Sequence, residues 1–281
     1  METVIKSATK EVRLNIEGPF VIIGEKINPT GHKKMVAALQ EQNYDYIKEL
    51  AIKQVEAGAD VIGVNVGAPG INQIEILPKI AKMVTEAVDV PLCIDSSDHA
   101  ALKAALAVLP GRPLVNSVNG EASSMEAVLP IVKEFNVPVV GLLMDDNGIP
   151  EDAEGRLSIA AKIIGRAKTI GICIEDVVVD PLVLTVGANS DAGAITLKTI
   201  ELVRNKFGVN MSMGASNVSF GMPNRPLLNH SFMSLAMGYG ATSAITNPLK
   251  MTSVIRSTDL LLGRDKRGKR YLKYIRSQNM N

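Results

Sequence analysis

Short, continuously apolar runs alternate with amphipathic helical stretches along the chain, and this alternation constrains the fold more than any other feature. The runs are FVIIGE (20–25), DVIGVNV (60–66), PLCID (91–95), PLVNS (113–117), VPVVGLLM (137–144), DVVVD (176–180), NMSMG (210–214) and ATSAIT (241–246). Their length and content suit strands buried on both faces of a parallel sheet. Between them, Ile47, Leu50, Ala51 and Val55 share one face of a helix that Gly58 ends, and Leu157, Ala160, Ala161 and Ile164 mark another that stops at Gly171. Eight βα units in 281 residues predict an α/β protein folded as a single (β/α)8 TIM barrel, with a doubly wound open sheet as the alternative. No linker or composition shift divides the chain, so one domain is expected over 1–281, with 264–281 a basic C-terminal extension.

Aromatic residues make up 4% of the chain and Trp is absent, so Ile, Val, Leu, Ala and Met must build the core. A net charge of +1 provides no global field for nucleic acid. The charged opening METVIKSATKEVRL does not read as a signal peptide, and no apolar run approaches a membrane span of roughly 18 residues, so a cytoplasmic protein is expected. Cys93 and Cys173 both sit in strand-like stretches and read as buried, reduced thiols. The scattered His32, His99 and His230 read as surface or capping residues, and no metal site is expected.

The functional signal lies in how the apolar runs end. They lead into Glu25 and Asn28, Asn65, Asp95, Asn116 and Asn119, Asp180, and Ser216 and Asn217. Each residue alone has an ordinary explanation as a helix cap or turn former. In a barrel, however, these ends converge on one face, where active sites are built. Lys and Arg are almost absent from the same positions, so the ring suits a flat, uncharged heterocycle better than a phosphate. A pterin fits this description: its 2-amino group and N3 hydrogen form a donor edge that Asp95 or Asp180 can accept, while Asn217 can donate to a ring nitrogen.

The segments IIGEKINPTG, ADVIGVNVG, LCIDSS, LVNSVNGE, VVVDPLVL, GASNVSFGMPNRPLLNHSFM and AMGYGATSAI resemble the pterin-binding methyltransferases in order and spacing, over roughly residues 20 to 262. That family includes the methyltetrahydrofolate:corrinoid protein methyltransferases, the folate module of cobalamin-dependent methionine synthase and the folate-side enzymes of O-demethylase systems. The resemblance implies a homodimeric TIM barrel that presents N5 of tetrahydrofolate or 5-methyltetrahydrofolate to a corrinoid (cobalamin) carried on a partner protein. It further implies that Asp95, Asn116 and Asp180 anchor the pterin and that Asn217 is the mobile amide reaching N5. Asn119, Ser219 and Asn224 are weaker candidates, and Arg225 is expected to shape the following loop. One position departs from the pattern: relatives often carry an acid two residues before the asparagine of the second strand, where this chain has Gly63.

The implied chemistry is an SN2 transfer of methyl between N5 and cobalt. It requires N5 to be protonated or strongly hydrogen bonded when it leaves, and unprotonated when it attacks. The chain has no DxHxxG box for cobalamin, and DHAALK (98–103) reads as a helix start, so the corrinoid is expected on another polypeptide. The basic segment RDKRGKRYLKYIR reads either as a solvated terminal helix or as an attractor for polyglutamate or the corrinoid protein. Two alternatives remain in view. One is dihydropteroate synthase, whose anion-binding Lys and Arg positions read NMSMG and ITNPLK here. The other is a non-catalytic pterin-binding subunit.

Overall fold

A computed structural model describes residues 1–278. The chain opens with an antiparallel hairpin, β1 (Glu2–Lys6) and β2 (Glu11–Asn15). The βα alternation follows: β3 (Val21–Ile27), α1 (Lys33–Gln40), α2 (Tyr44–Glu56), β4 (Val61–Val64), α3 (Gln73–Ala87), β5 (Leu92–Asp95), α4 (His99–Val108) and β6 (Leu114–Asn119). It continues through α5 (Ala122–Phe135), β7 (Val139–Leu142), α6 (Ala153–Thr169), β8 (Val177–Asp180), α7 (Ala192–Phe207) and β9 (Ser212–Gly214). A 3-10 turn at Ala215–Ser219 leads to α8 (Arg225–Tyr239), β10 (Ser243–Thr246), α9 (Pro248–Leu261) and α10 (Lys269–Gln278).

The eight strands β3 to β10 lie parallel in the order β8-β7-β6-β5-β4-β3-β10-β9. A parallel bridge from Val179 to Met211, with Val179 N donating to Asn210 O at 2.9 Å, joins the two ends. The sheet therefore closes, and the fold is the barrel and not the open sheet. Side chains alternate across each strand. Ile22, Ile62, Ile94, Val115 and Val177 pack outward against the helices, whereas Val21, Ile23, Val61, Cys93, Leu114, Val140 and Val178 point into the barrel.

The hairpin was not foreseen in the sequence. Its Ile5, Val12 and Leu14 join the inward cluster and plug the barrel at the N-terminal ends of the strands. Burial of each such side chain contributes roughly 1.5–3 kcal/mol. Charges on alternate positions, Lys6, Glu11 and Arg13, stay outside and pair with one another.

The basic C-terminal segment lies at this same closed end. Arg270 pairs with Asp60, just before β4, and Arg264 donates to Met237 O at 2.8 Å, ahead of β10. The described part of that segment is thus held away from the strand ends that form the ring, and the solvated-helix reading describes it better than attraction of a ligand there. Residues 279–281 lie outside the described residues. Beside it, buried Asp259 accepts Phe20 N with both oxygens, at 3.0 and 3.1 Å, and burial lifts its pKa to about 6.

Cys93 is buried in β5 as expected, but Cys173 is exposed. The reason is that β8 begins only at Val177. Cys173 belongs to the preceding connection, where Ile172 turns inward in its place. Asp98 accepts the N–H groups of Ala100 and Ala101, so DHAALK is a capped helix start.

Strand β3 bulges: Gly24 pairs with Ile62 but Ile27 with Val64, so three steps on β3 match two on β4. The extra residue leaves a backbone N–H out of the ladder. Gln54, fully buried on α2, supplies the missing acceptor, its Oε1 lying 2.8 Å from Lys26 N. Space for that amide exists because residue 24 is glycine; a Cβ there would lie 2.5 Å from Gln54 Oε1. Gly24→Ala must therefore displace Gln54, and a loss of about 1–3 kcal/mol is expected in denaturant unfolding.

Candidate active site

The C-terminal ends of β5 and β6 open onto a cavity of about 350 Å3 lined by Asp95, Asn116 and Asn119 together with Ser96, His99 and Glu121. A deeper hollow of about 20 Å3 shares Asp95 and Asn116 and reaches Glu25, Gly63 and Asn65. In a regular strand Asn116 and Asn119, three residues apart, would face opposite ways. The register of β6 against β7 shifts between Asn116 and Val118, and this bulge turns both amides to the same cavity.

The ring residues also shape the loops that hold them. Asn65 Oδ1 accepts Gly67 N at 2.7 Å, Asn119 Oδ1 accepts Glu121 N at 2.9 Å and Asp180 Oδ1 accepts Leu182 N at 2.8 Å. Turn formation and ligand binding are therefore compatible roles. In Asn119 and Asp180 one oxygen orients the side chain and leaves the amide hydrogens or second carboxylate oxygen for other partners, whereas Asn65 also hydrogen-bonds Asp95.

Asp95, which lines both hollows, and Asp180, at the end of β8 and outside their linings, are two carboxylates at the strand ends. Neither forms an ion pair with a described residue. Burial raises the pKa of Asp95, opposed by a hydrogen bond with Asn65. Asp180 is 8% exposed, and burial lifts its carboxyl to about 7 against the opposing pull of Leu182 N–H and the Arg156 charge. Arg156, itself buried, grips the following loop through Pro181 O at 2.9 Å and Leu182 O at 2.8 Å, and thereby fixes Leu182 at φ 58°. Nothing in its helical sequence context marked this arginine as part of the site's support.

Asn217 lies exposed on the turn after β9, its amide folded over Gly214, where a Cβ would lie 3.0 Å from Nδ2. Ser219 is buried, with Oγ donating to Asn229 Oδ1 at 2.7 Å and accepting Arg225 Nε at 3.0 Å. Arg225 Nη2 also donates to Ser216 O at 2.9 Å, so this arginine does shape the loop. Asn224 takes a left-handed conformation at the N-cap of α8. His99, expected at the surface or in a cap, opens α4 and at the same time rims the cavity. Gly63 leaves the deep hollow without a side chain on that strand; a Cβ would stand 3.0 Å from Gly24 O.

Fold and ring together define a parallel α/β barrel whose strand ends carry carboxylates and amides on one face. Residues 24–247 match the family described as "Pterin binding enzyme", and the chain belongs to that family. It is 34% identical over 265 residues to the methylcorrinoid:tetrahydrofolate methyltransferase of Eubacterium limosum, covering 92% of this chain and 96% of that protein. It is 27% identical to methionine synthase of Mycobacterium tuberculosis, matching 85% of this chain but 21% of that protein. A Yersinia pestis dihydropteroate synthase structure with a pterine-sulfa conjugate superposes with a TM-score of 0.71 over 94% of this chain and 99% of that one. At 16% identity this last likeness describes the fold.

Among the described residues no helix is long and apolar enough to cross a membrane, and no group of three His, Cys, Asp or Glu side chains is placed to hold a metal ion.

Proposed function

We propose that this chain is a methyltransferase that moves a methyl group between N5 of tetrahydrofolate and the cobalt of a corrinoid carried on a separate protein. The reading rests on two desolvated carboxylates, Asp95 and Asp180, that form no ion pair with a described residue. A donor edge made of the pterin 2-amino group and N3 hydrogen supplies the partners they lack. Asn116 and Asn119 meet the remaining ring heteroatoms, and Ser219 acts through the turn that carries Asn217. The whole of 1–281 serves as one pterin-binding unit.

Transfer is an in-line displacement at the methyl carbon. Toward tetrahydrofolate the N5 lone pair forms the new N–C bond, the Co–C pair stays on cobalt and the N5 proton passes to solvent. The reverse reaction takes a proton from solvent as the N–C pair stays on N5. The amide of Asn217 strengthens a hydrogen bond at N5 as charge develops there, without supplying a proton. The name of the Eubacterium limosum relative places the methyl group on tetrahydrofolate. That direction needs N5 with a free lone pair, and a neutral amide together with Gly63 in place of an acid suits it. The dihydropteroate synthase alternative would need fixed cations for a departing pyrophosphate where this chain has NMSMG and ITNPLK. A cytoplasmic homodimer completes the reading, and the exposed Leu227, Leu235 and Tyr239 of α8 offer an apolar face for a second copy.

The test mixes purified protein with tetrahydrofolate and methylcobalamin, and separately with methyltetrahydrofolate and reduced cobalamin, following the cobalamin spectrum. Protein-dependent interconversion is expected in both mixtures. Folate binding without conversion, even with the cognate corrinoid protein present, would instead favour the inert subunit.

A further inference from the structure

A second recess, of about 210 Å3, opens where the bulged end of β3 meets the starts of α8 and α9. Glu25, Lys26, Ser216, Arg225, His230 and Lys250 line it. Consecutive strand residues normally face opposite sides of a sheet, but the β3 bulge brings both Glu25 and Lys26 to this space. Three cations, Lys26, Arg225 and Lys250, stand against the single carboxylate of Glu25. Lys250 forms no ion pair among the described residues, and Lys26 only a loose one, 3.6 Å from Glu25. Arg225 is fixed by its bonds to Ser216 and Ser219 and by stacking 4.6 Å over Phe220, which leaves Nη1 without a protein partner among the described residues.

The α9 terminus adds the positive end of its dipole but no free donor at its first turn. Pro248 has no N–H, while Leu249, Lys250 and Met251 all donate to Asn247. Selection of an anion therefore falls to the side chains.

The recess adjoins the ring site. Glu25 borders both the recess and the deep hollow, and Ser216 immediately precedes Asn217. In a folate the atom next to N5 is C6, which carries the aminobenzoyl-glutamate arm. With Asp95, Asn116 and Asp180 on the amino-pyrimidinone edge and Asn217 at N5, that arm leaves on the β9–β10–β3 side, toward this recess. We propose that the recess binds the glutamate carboxylates of folate, so that Lys26, Lys250 and Arg225 select γ-glutamylated forms. This inference rests on the folate reading of the ring.

Calorimetry with 6-methyltetrahydropterin, tetrahydrofolate and tetrahydrofolate triglutamate separates the two proposals. Two partly exposed Lys–carboxylate pairs are expected to make the glutamate-bearing ligands bind on the order of tenfold more tightly than the tail-free pterin. This increment should shrink as salt is raised. In the Lys26→Ala/Lys250→Glu protein the increment should vanish while 6-methyltetrahydropterin binds as before. An increment that persists in the double variant, or is missing from the wild type while 6-methyltetrahydropterin binds, overturns the recess proposal alone. If none of the three ligands binds the wild type, the folate reading falls first. A loss of tail-free pterin affinity equal to that of the folates would also overturn the recess proposal, since the two lysines would then be supporting the ring site.

Discussion

Asn217→Ala is expected to slow single-turnover methyl transfer by about 10²- to 10³-fold, the usual effect of removing one preorganised donor from a developing charge. Folate affinity should change by no more than about threefold, since an exposed amide adds little to ground-state binding. The split follows from position. Asn217 stands on a turn after β9, apart from the buried acceptors proposed to anchor the pterin, and its amide rests against the bare Cα of Gly214. A Cβ at residue 214 would press on that amide at 3.0 Å, so Gly214→Ala should reproduce part of the rate loss without removing any polar group. Rapid-mixing absorbance and equilibrium titration read the two quantities separately. A full rate in Asn217→Ala would remove this residue from the N5 chemistry.

Asp180→Asn should act in opposite senses on binding and on stability. Replacing a carboxylate that accepts a paired donor edge with an amide that accepts only once is expected to weaken folate binding by about 10²-fold, within the range for lost charge-assisted hydrogen bonds. The empty protein should gain. With its pKa at about 7 in the fold and an ordinary value of 3.8, Asp180 holds more protons folded than unfolded between these limits. Wild-type stability therefore falls as pH rises from about 4 to about 7, while the Asn variant is free of this contribution. The difference is on the order of 2–4 kcal/mol above pH 7 and vanishes near pH 4, which thermal unfolding at pH 8 and pH 4 would reveal. Because the ionised form is the one proposed to accept the pterin edge, wild-type folate affinity should also decline below about pH 7.

The barrel was legible because each of its eight strands is a short apolar run followed by a polar residue, a pattern that local reading detects. The hairpin was not. Its strands are five residues each, β1 (ETVIK) buries a threonine and leaves Val4 on the outer face, and the groups that hold it, Arg112, Glu175 and Asn210, lie far along the chain. The same limit applies to the site. Asp95, Asn116 and Asn119 were readable as strand-end polar residues and do share a cavity. The bulges that bring Asn119 to Asn116 and Lys26 to Glu25 depend on pairing with a neighbouring strand, which no local pattern encodes. Ser219 was singled out by its motif, yet its hydroxyl is spent on Asn229 and Arg225, a matter of tertiary packing. Gln54 and Arg156 gave no signal at all, because a polar side chain on a helix ordinarily faces water.

Closure of the barrel between β8 and β9 relies on one short bridge, and Thr3 works directly beneath it. Its hydroxyl donates to Glu175 O, ahead of β8, and accepts Asn210 Nδ2 at 3.0 Å, ahead of β9. The plug is thus a rivet across the one gap in the hoop. Asp180 caps one of the two strands it joins, and the turn bearing Asn217 follows the other. Thr3 therefore ties together, at the far end of the barrel, the two strands whose other ends carry Asp180 and Asn217.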